Sequence, residues 1–231
     1  ARYVDYESPG GNGPMRGYLV TPTQESGTRG AVLVVHENRG LNPYVKDVAR
    51  RVAVEGFIAL APDALAPLGG YPGNDDDGKV MQRTLDRDKI HVDMHNGARF
   101  LLAHEGCNGR LGVTGFCFGG EVSNRLAVTL GDALQAAAPF YGRPPDLDRV
   151  GEIRAQLVVH YAEDDPRVNE HKDAYEAALQ AANVDYAMHL YPGTRHGFHN
   201  NSTPRYDHDA ATLAWQRTIE LFRATLIPAG S

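Results

Sequence analysis

Apolar runs alternate with amphipathic segments along most of the chain. Short continuous apolar runs are typical of strands that are covered on both faces. They predict strands at residues 31–35, 57–61, from 111, 135–140, 156–161 and 186–191. Apolar residues at helical spacing predict helices over residues 43–55, 121–128, 170–182 and 208–226, and a helix or helix pair over about 79–104. Strands that alternate with helices predict an α/β fold with a mostly parallel sheet and helices on both faces.

Two β-rich runs at the start of the chain flank a glycine-rich turn at residues 10–13, which predicts a β-hairpin over about residues 1–22. A polar loop at 22–30 leads into a core of about 30–226. Because 231 residues suit one α/β domain, we expect a single domain over 1–231.

Two further segments carry expectations about packing. Residues 63–78 are rich in Gly, Pro and Asp, which predicts a mobile surface loop. Their acidic run lacks the ligand spacing of a calcium loop, so a solvated turn is favoured over a metal site. In the last helix the predicted core residues are Leu213, Ile219 and Phe222, with Trp215 beside them.

A cysteine bracketed by glycines follows the strand that starts at Leu111. The segment Gly115-Phe-Cys117-Phe-Gly119 matches the Gly-x-nucleophile-x-Gly pattern of a nucleophile elbow, a sharp turn from a strand into a helix. We expect side chains at Gly115 and Gly119 to collide where strand and helix crowd together. The alternative is that Cys117 is a small buried hydrophobe at a glycine-rich turn.

Candidate acids and a candidate base follow two later strands. Asp164 and Asp165 come after the strand at 156–161, and His196 comes after the strand at 186–191. Nucleophile, acid and histidine in this chain order are typical of an α/β-hydrolase triad. The histidine takes the proton of the thiol, and the acid fixes the imidazole tautomer and stabilises the imidazolium. The helix that follows Cys117 also favours a thiolate.

A further candidate element follows the strand at 31–35. In this architecture a backbone N–H just past an early strand forms half of the oxyanion hole. We assign that half to Asn38 and the other half to the N–H of Phe118. Glu37 would place a carboxylate in the same site, although taken alone it fits a surface residue better.

The amino-acid composition limits the classes of binding partner that we expect. The chain has 23 Lys and Arg against 29 Asp and Glu, a net charge of −6, which argues against nucleic acid and anionic membrane surfaces. No apolar run approaches the roughly 20 residues of a membrane span. Cys107 and Cys117 do not make a disulfide framework, so we expect a reducing, cytoplasmic location. The chain starts at Ala1, which leaves export with a removed leader open.

Taken together, these segments resemble the dienelactone hydrolase family. The matching segments span about residues 12–226 and are Val34-Val-His-Glu37-Asn-Arg-Gly40, Ala61-Pro-Asp63, Gly115-Phe-Cys117-Phe-Gly-Gly120, His160-Tyr-Ala-Glu-Asp-Asp165-Pro-Arg-Val168 and Tyr191-Pro-Gly-Thr-Arg-His196-Gly-Phe198. The resemblance implies an α/β-hydrolase fold, Asp165 as the acid with Asp164 as the fallback, and a small-molecule ester or lactone as substrate. It also implies that Glu37 partners the resting thiol and accepts a proton when substrate binds. Neither cofactor nor metal is expected, and the protein is expected to be a monomer or homodimer.

One departure from the family pattern concerns the substrate. Members that cleave dienelactone hold its carboxylate with arginines, one of them four residues past the catalytic histidine, where this chain has Asn200. An asparagine lacks the charged fork of arginine. Arg83 and Arg87 are candidates for the second arginine by their position in the chain, and Phe198 is a further candidate substrate contact.

The sequence therefore predicts a Cys–Asp–His hydrolase of esters or lactones. Two alternatives stay open, a carboxylesterase without lactone preference and a non-catalytic binding module on the same fold. A zinc site at His196, His199 and His208 is disfavoured, because the spacing is loose and His196 already has a role in the triad.

Overall fold

A computed structural model describes residues 1–23 and 27–230 of the protein. Residues 24–26 of the predicted polar loop lie outside this range. The chain divides into two compact units, Ala1–Leu111 and Gly112–Ser231. That the whole chain is one domain stays a prediction.

The first unit is built on β1 to β4, in the spatial order β1-β2-β4-β3. Their bounds are β1 Arg2–Tyr6, β2 Met15–Val20, β3 Arg29–Val35 and β4 Ile58–Pro62. β1 and β2 pair antiparallel, which confirms the predicted hairpin, and β3 and β4 pair parallel. The apolar side chains of β3 and β4 are buried, as expected for strands covered on both faces.

The α-helices in the described part of this unit are α1 Pro43–Val54, α2 Asp75–Gln82 and α3 Arg87–Leu102. α1 begins where Asn42 caps it, with the Asn42 side chain accepting a hydrogen bond from the N–H of Val45 at 3.1 Å. Pro43 occupies the first helical position, where its missing N–H costs nothing.

The prediction of a mobile surface loop at 63–78 was wrong for its last four residues, which are helical. A short 3₁₀ turn covers Ala66–Leu68, and α2 begins at Asp75. The side chain of Asn74 caps α2 by accepting from the N–H of Asp77 at 2.9 Å. Carboxylates are favourable in the first turn of a helix because they face its positive end. The acidic run is therefore a helix start, and of the two forms predicted for 79–104 the helix pair is the one observed.

The loop of the hairpin is held on α3 by a buried carboxylate. Asp93 accepts hydrogen bonds from Ser8 Oγ at 2.6 Å, from the N–H of Asn12 at 2.8 Å and from Asn12 Nδ2 at 2.6 Å. A buried carboxylate with several donors is well satisfied. A side chain at Gly11 would overlap this carboxylate, so the loop requires glycine there.

The second unit is built on parallel strands in the order β5-β6-β7-β8. Their bounds are β5 Cys107–Phe116, which starts in the first unit, β6 Ala136–Phe140, β7 Gln156–Asp164 and β8 Tyr186–Arg195. The helices are α4 Phe118–Thr129, α5 Pro166–Asn169, α6 Lys172–Ala181 and α7 His208–Leu226. The predicted mostly parallel α/β architecture is confirmed. β7 and β8 run further than predicted, and the predicted helix at 170–182 is α6 preceded by the short α5.

α7 has the predicted bounds, and its buried face includes Ile219 and Phe222 as expected. Leu213 was wrongly assigned to the core, since 41% of it is exposed. Leu213 lies next to the row of buried residues along α7 and not within that row. Among the described residues, no helix is both long enough and apolar enough to cross a membrane.

The close approach of β6 to α4 generates a stability prediction. A Cβ added to Gly142 would overlap the main chain of Gly120 and Glu121, whereas one added to Gly151 would have no atom within 4 Å. We expect Gly142→Ala to lower the free energy of unfolding by about 1–3 kcal/mol or more through overpacking. Gly151→Ala should stay within about 0.5 kcal/mol. Urea unfolding measures both, and equal midpoints for the two variants would contradict this account.

Candidate active site

Cys117 lies at the sharp turn between β5 and α4 and has a strained backbone. Its φ of 58° is in the left-handed region, which a residue other than glycine adopts only where its surroundings enforce it. The N–H of Cys117 donates to the carbonyl of Phe140 at 3.0 Å, and its carbonyl accepts from the N–H of Glu121 at 3.1 Å. The turn is therefore anchored both to β6 and to the first turn of α4.

Glycines make this turn sterically possible. A Cβ on Gly115 would overlap the carbonyl of Gly119, which confirms the predicted collision at that position. Gly119 contributes the crowding carbonyl, which also accepts a hydrogen bond from Ser123 Oγ at 2.7 Å. Gly120, the second of the two glycines expected to allow the tight turn, is also required, because its added Cβ would overlap the carbonyl of Phe140.

Asp165 and His196 form a direct pair at the ends of β7 and β8. His196 Nδ1 lies 2.5 Å from Asp165 Oδ2. The Asp165 side chain is 7% exposed and that of His196 is 22% exposed, so the pair is largely shielded from water. Asp164 is exposed, and its main chain is aligned with Arg195. Of the two candidate acids, the structure places Asp165 on the histidine.

The surroundings of His196 favour its charged form. Burial alone would lower the pKa of His196, but hydrogen bonds to Asp165 and Cys117 and the negative charges of both raise this pKa to about 10. The imidazole thus contacts the carboxylate on one side and the sulfur on the other. The structure brings Cys117, Asp165 and His196 together.

Aromatic rings pack around His196 and the loop that carries it. The ring of Tyr141, which has a φ of 36° at the end of β6, lies 4.9 Å from the imidazole of His196. Phe198 is fully buried, 5.5 Å from the Tyr141 ring and 5.0 Å from that of Tyr191. In this place Phe198 anchors the loop of His196, and its contact with substrate stays a prediction.

The other candidate residues of this loop have local partners. Asn200 is buried, and its side-chain oxygen accepts from the N–H and the Oγ of Ser202 at 2.9 and 2.6 Å. This arrangement stabilises the turn, and a substrate contact by Asn200 stays a prediction. His199 stacks on Phe116 at 5.1 Å, whereas His208 is exposed beside Asp209.

The loop after β3, which carries Glu37 and Asn38, belongs to the first unit. Glu37 is buried, and its carbonyl accepts from His36 Nδ1 at 2.6 Å and from Gln82 Nε2 at 3.3 Å. His36 Nε2 in turn accepts from the N–H of Ala64 at 3.0 Å, which fixes the tautomer. Burial lowers the pKa of His36, so this imidazole is neutral.

Two buried polar side chains hold the rest of that loop. Gln82 Oε1 accepts from the N–H of Gly40 at 2.9 Å. Asp63 accepts from the N–H groups of Leu41 at 3.2 Å and Tyr71 at 2.8 Å. The sequence analysis missed Gln82. It quoted Asp63 only as part of a matching segment, although an acid directly after a buried strand was the available signal.

The remaining predicted site residues also lie in the first unit. Arg83 follows the last residue of α2, Arg87 is the first residue of α3, and both are exposed. The participation of Glu37, Asn38, Arg83 and Arg87 in one site with Cys117 stays a prediction.

Comparison with known proteins identifies the family. The model of the dienelactone hydrolase family matches residues 15–226. Protein usf of Aquifex pyrophilus is 34% identical over 233 residues, covering 96% of this chain and 98% of that protein. The "Probable 2-oxo-3-(5-oxofuran-2-ylidene)propanoate lactonase" of a Bradyrhizobium species is 31% identical over 235 residues, covering 95% and 94%.

Solved structures agree with the sequence matches. The dienelactone hydrolase-like promiscuous phosphotriesterase P91, from metagenomic libraries, superposes with a TM-score of 0.81 at 26% identity, covering 98% of both chains. The acylaminoacyl peptidase of Pyrococcus horikoshii, at 17% identity and a TM-score of 0.73, shares the fold over 43% of its own chain. These likenesses confirm the predicted α/β-hydrolase fold. With a family model that spans nearly the whole chain and relatives above 30% identity over almost their full length, this protein belongs to the dienelactone hydrolase family.

Proposed function

We propose that this hydrolase cleaves a carboxylic ester or a lactone, with Cys117 as the nucleophile and an acyl-enzyme as the intermediate. The observation that carries the proposal is the contact of a strained Cys117 with His196, which itself lies 2.5 Å from Asp165. A nucleophile on a tight turn, a base within reach and an acid that orients the base are the parts that acyl transfer needs.

In the first step the Cys117 sulfur attacks the carbonyl carbon of the substrate. A C–S bond forms, and the π electrons of the carbonyl move onto its oxygen. For this attack His196 takes the proton of the Cys117 thiol and holds it as an imidazolium, which the raised pKa of His196 favours. When the oxyanion collapses, the C–O bond of the ester breaks and His196 gives its proton to the leaving oxygen. In a lactone the leaving oxygen stays attached to the acyl group.

In the second step water releases the acyl group. The neutral His196 takes a proton from water, and the hydroxide attacks the thioester carbonyl. Collapse of this second oxyanion breaks the C–S bond and leaves a carboxylic acid and the Cys117 thiolate, again beside an imidazolium. Asp165 keeps the imidazole in the tautomer that both steps need, because its carboxylate accepts from Nδ1.

Backbone N–H groups would stabilise the oxyanions. Phe118 is the first residue of α4 and directly follows Cys117, so its N–H lies next to the proposed nucleophile. We assign Phe118 and, from the first unit, Asn38 to the oxyanion hole. Loss of one such donor typically costs about 3 kcal/mol of transition-state stabilisation.

The substrate class rests on two observations. One full-length relative carries the name of a lactonase, which favours a lactone. Asn200 stands where dienelactone-cleaving members have an arginine, which favours an ester or lactone without a carboxylate at that place. A carboxylesterase without lactone preference is therefore the second candidate function.

The two cysteines provide a matched test of the nucleophile. We expect Cys117→Ala to lower kcat for a p-nitrophenyl ester by about 10⁴-fold or more, because the acyl-enzyme cannot form. Cys107→Ala should keep activity within twofold, since Cys107 lies at the far end of β5. Stopped-flow or plate assays with the ester and with an enol lactone measure both. Equal rates for wild type and Cys117→Ala would reject Cys117 as the nucleophile. Turnover of the ester but not of the lactone would favour a carboxylesterase. No turnover of either substrate by wild type would favour a non-catalytic binding module.

Adjacent carboxylates test the acid in the same way. Asp165→Asn should lower kcat by about 10³- to 10⁴-fold, because an amide no longer fixes the tautomer or stabilises the imidazolium. The pKa of His196 should fall from about 10 towards its ordinary value as the charge and hydrogen bond of Asp165 are lost. An NMR titration of labelled histidine measures that change. Asp164→Asn should have little effect on either quantity, and the reverse ranking would assign the acid to Asp164.

The predicted role of Glu37 as partner of the resting thiol is tested without substrate. If its carboxylate controls the ionisation of Cys117, Glu37→Gln should change the rate of alkylation by iodoacetamide in the free enzyme. The assay is best run with Cys107→Ala as background, so that one thiol reacts. An alkylation rate that is unchanged across pH 5–9 would reject this role.

A further inference from the structure

The ends of β7 and β8 carry the acid and the histidine, and they are joined by side-chain hydrogen bonds that the triad chemistry does not use. The pairing of β7 with β8 is irregular just before Asp165, because Ala162 pairs with Tyr191 and Asp164 with Arg195. The extra residues, 192–194, lie on β8, and such a bulge redirects a strand end and leaves main-chain groups without ladder partners. Glu163 is the β7 residue opposite this bulge.

Glu163 links the two strand ends directly. Its Oε2 accepts a hydrogen bond from the N–H of Gly193 at 2.7 Å. Gly193 has a φ of 71°, which glycine adopts readily, and a Cβ built there would have no atom within 4 Å. Gly193 itself has no side chain to pack, and the carboxylate of Glu163 ties its main chain to β7.

Thr194 completes the link from the opposite strand. Its Oγ1 accepts from the N–H of Glu163 at 3.4 Å and donates to the carbonyl of Tyr191 at 2.7 Å. Thr194 is buried, whereas Glu163 is exposed. Glu163, two positions before Asp165, is thus hydrogen-bonded to both Gly193 and Thr194, and Thr194 lies two positions before His196.

A third side chain, that of Asn169 in α5, holds the end of β7. Asn169 Nδ2 donates to the carbonyl of Ala162 at 2.7 Å and to that of Glu163 at 3.2 Å. The N–H of Asn169 donates to the carbonyl of Asp165 at 2.9 Å. The turn that carries Asp165 is therefore fixed relative to the end of β7, and Glu163 fixes this end relative to the bulged strand β8, which leads to His196.

We infer that Glu163 is a positioning residue that sets the distance between Asp165 and His196 by binding the main chain of Gly193. This inference rests on the proposed function, since positioning matters only if the pair is catalytic. A misplacement of about 1 Å by a residue remote from the chemistry can cost on the order of 10²-fold in rate. This role requires a hydrogen-bond acceptor on the side chain of residue 163, but it does not require the negative charge of glutamate.

The test compares Glu163→Ala, which removes the acceptor, with Glu163→Gln, which keeps a side-chain oxygen. Glu170→Ala is the control, because Glu170 is an exposed acid on the same segment whose partner is the neighbouring His171. We expect Glu163→Ala to lower kcat for the p-nitrophenyl ester about 10- to 100-fold with KM within twofold. Glu163→Gln should recover most of the activity, and Glu170→Ala should match wild type.

A second readout separates positioning from general loss of structure. In the second unit, the groups that face the imidazole of His196 are Asp165, Cys117 and the ring of Tyr141. If Asp165 moves away, the pKa of His196 measured by NMR should fall in Glu163→Ala and return in Glu163→Gln. A loss of structure alone would not be reversed by the amide in this way.

The outcomes distinguish this inference from the proposed function. Wild-type kcat and a wild-type pKa of His196 in Glu163→Ala would overturn the positioning role, as would a Glu163→Gln variant as impaired as Glu163→Ala. If wild type turns over neither ester nor lactone, the proposed function fails. The NMR titration still decides whether Glu163 sets the Asp165–His196 contact.

Discussion

The contact between Asp165 and His196 is the interaction on which the candidate site depends. At 2.5 Å and mostly shielded from water, the carboxylate compensates for the cost of burying a charged imidazole. That compensation favours a positive charge on His196 beside the Cys117 sulfur. The parallel arrangement of β7 and β8 makes the contact possible, because it brings the carboxyl ends of both strands to the same edge.

In the first unit, buried polar side chains fix the conformation of a loop. The loop of Glu37 and Asn38 cannot be held by a strand ladder, so its main-chain groups are paired by the buried side chains of Asp63, Gln82 and His36. Buried polar side chains of this kind are costly unless fully paired, and once paired they define a single conformation. Gln82 is the last residue of α2, and the acidic segment at 75–77 forms the first turn of that helix. The acidic residues therefore belong to the helix that positions Gln82, which their composition alone does not reveal.

Much of the architecture follows from the sequence because the signals are local. The apolar runs of β3 and β4 predict these strands directly. The Gly115–Cys117–Gly119 pattern likewise predicts the turn. The extensions of β7 and β8 could not be predicted in this way. Glu163, Asp164 and Arg195 are polar and exposed there, and strand pairing, not apolar patterning, keeps them extended. The start of α2 was missed because its acidic first turn looks like a solvated loop unless Asn74 is recognised as its cap. Choosing between Asp164 and Asp165 needed the family pattern, since chain order alone fits both.

The glycines around the elbow act only on the main chain. Gly115, Gly120 and Gly142 are required because backbone atoms of neighbouring segments lie where their side chains would be, and none of these collisions involves the side chain at position 117. The scaffold thus fixes where the reactive atom is presented without specifying its element. The turn accommodates sulfur and oxygen equally, so under the proposed mechanism the reactivity of the atom at position 117 depends on the imidazole and carboxylate beside it.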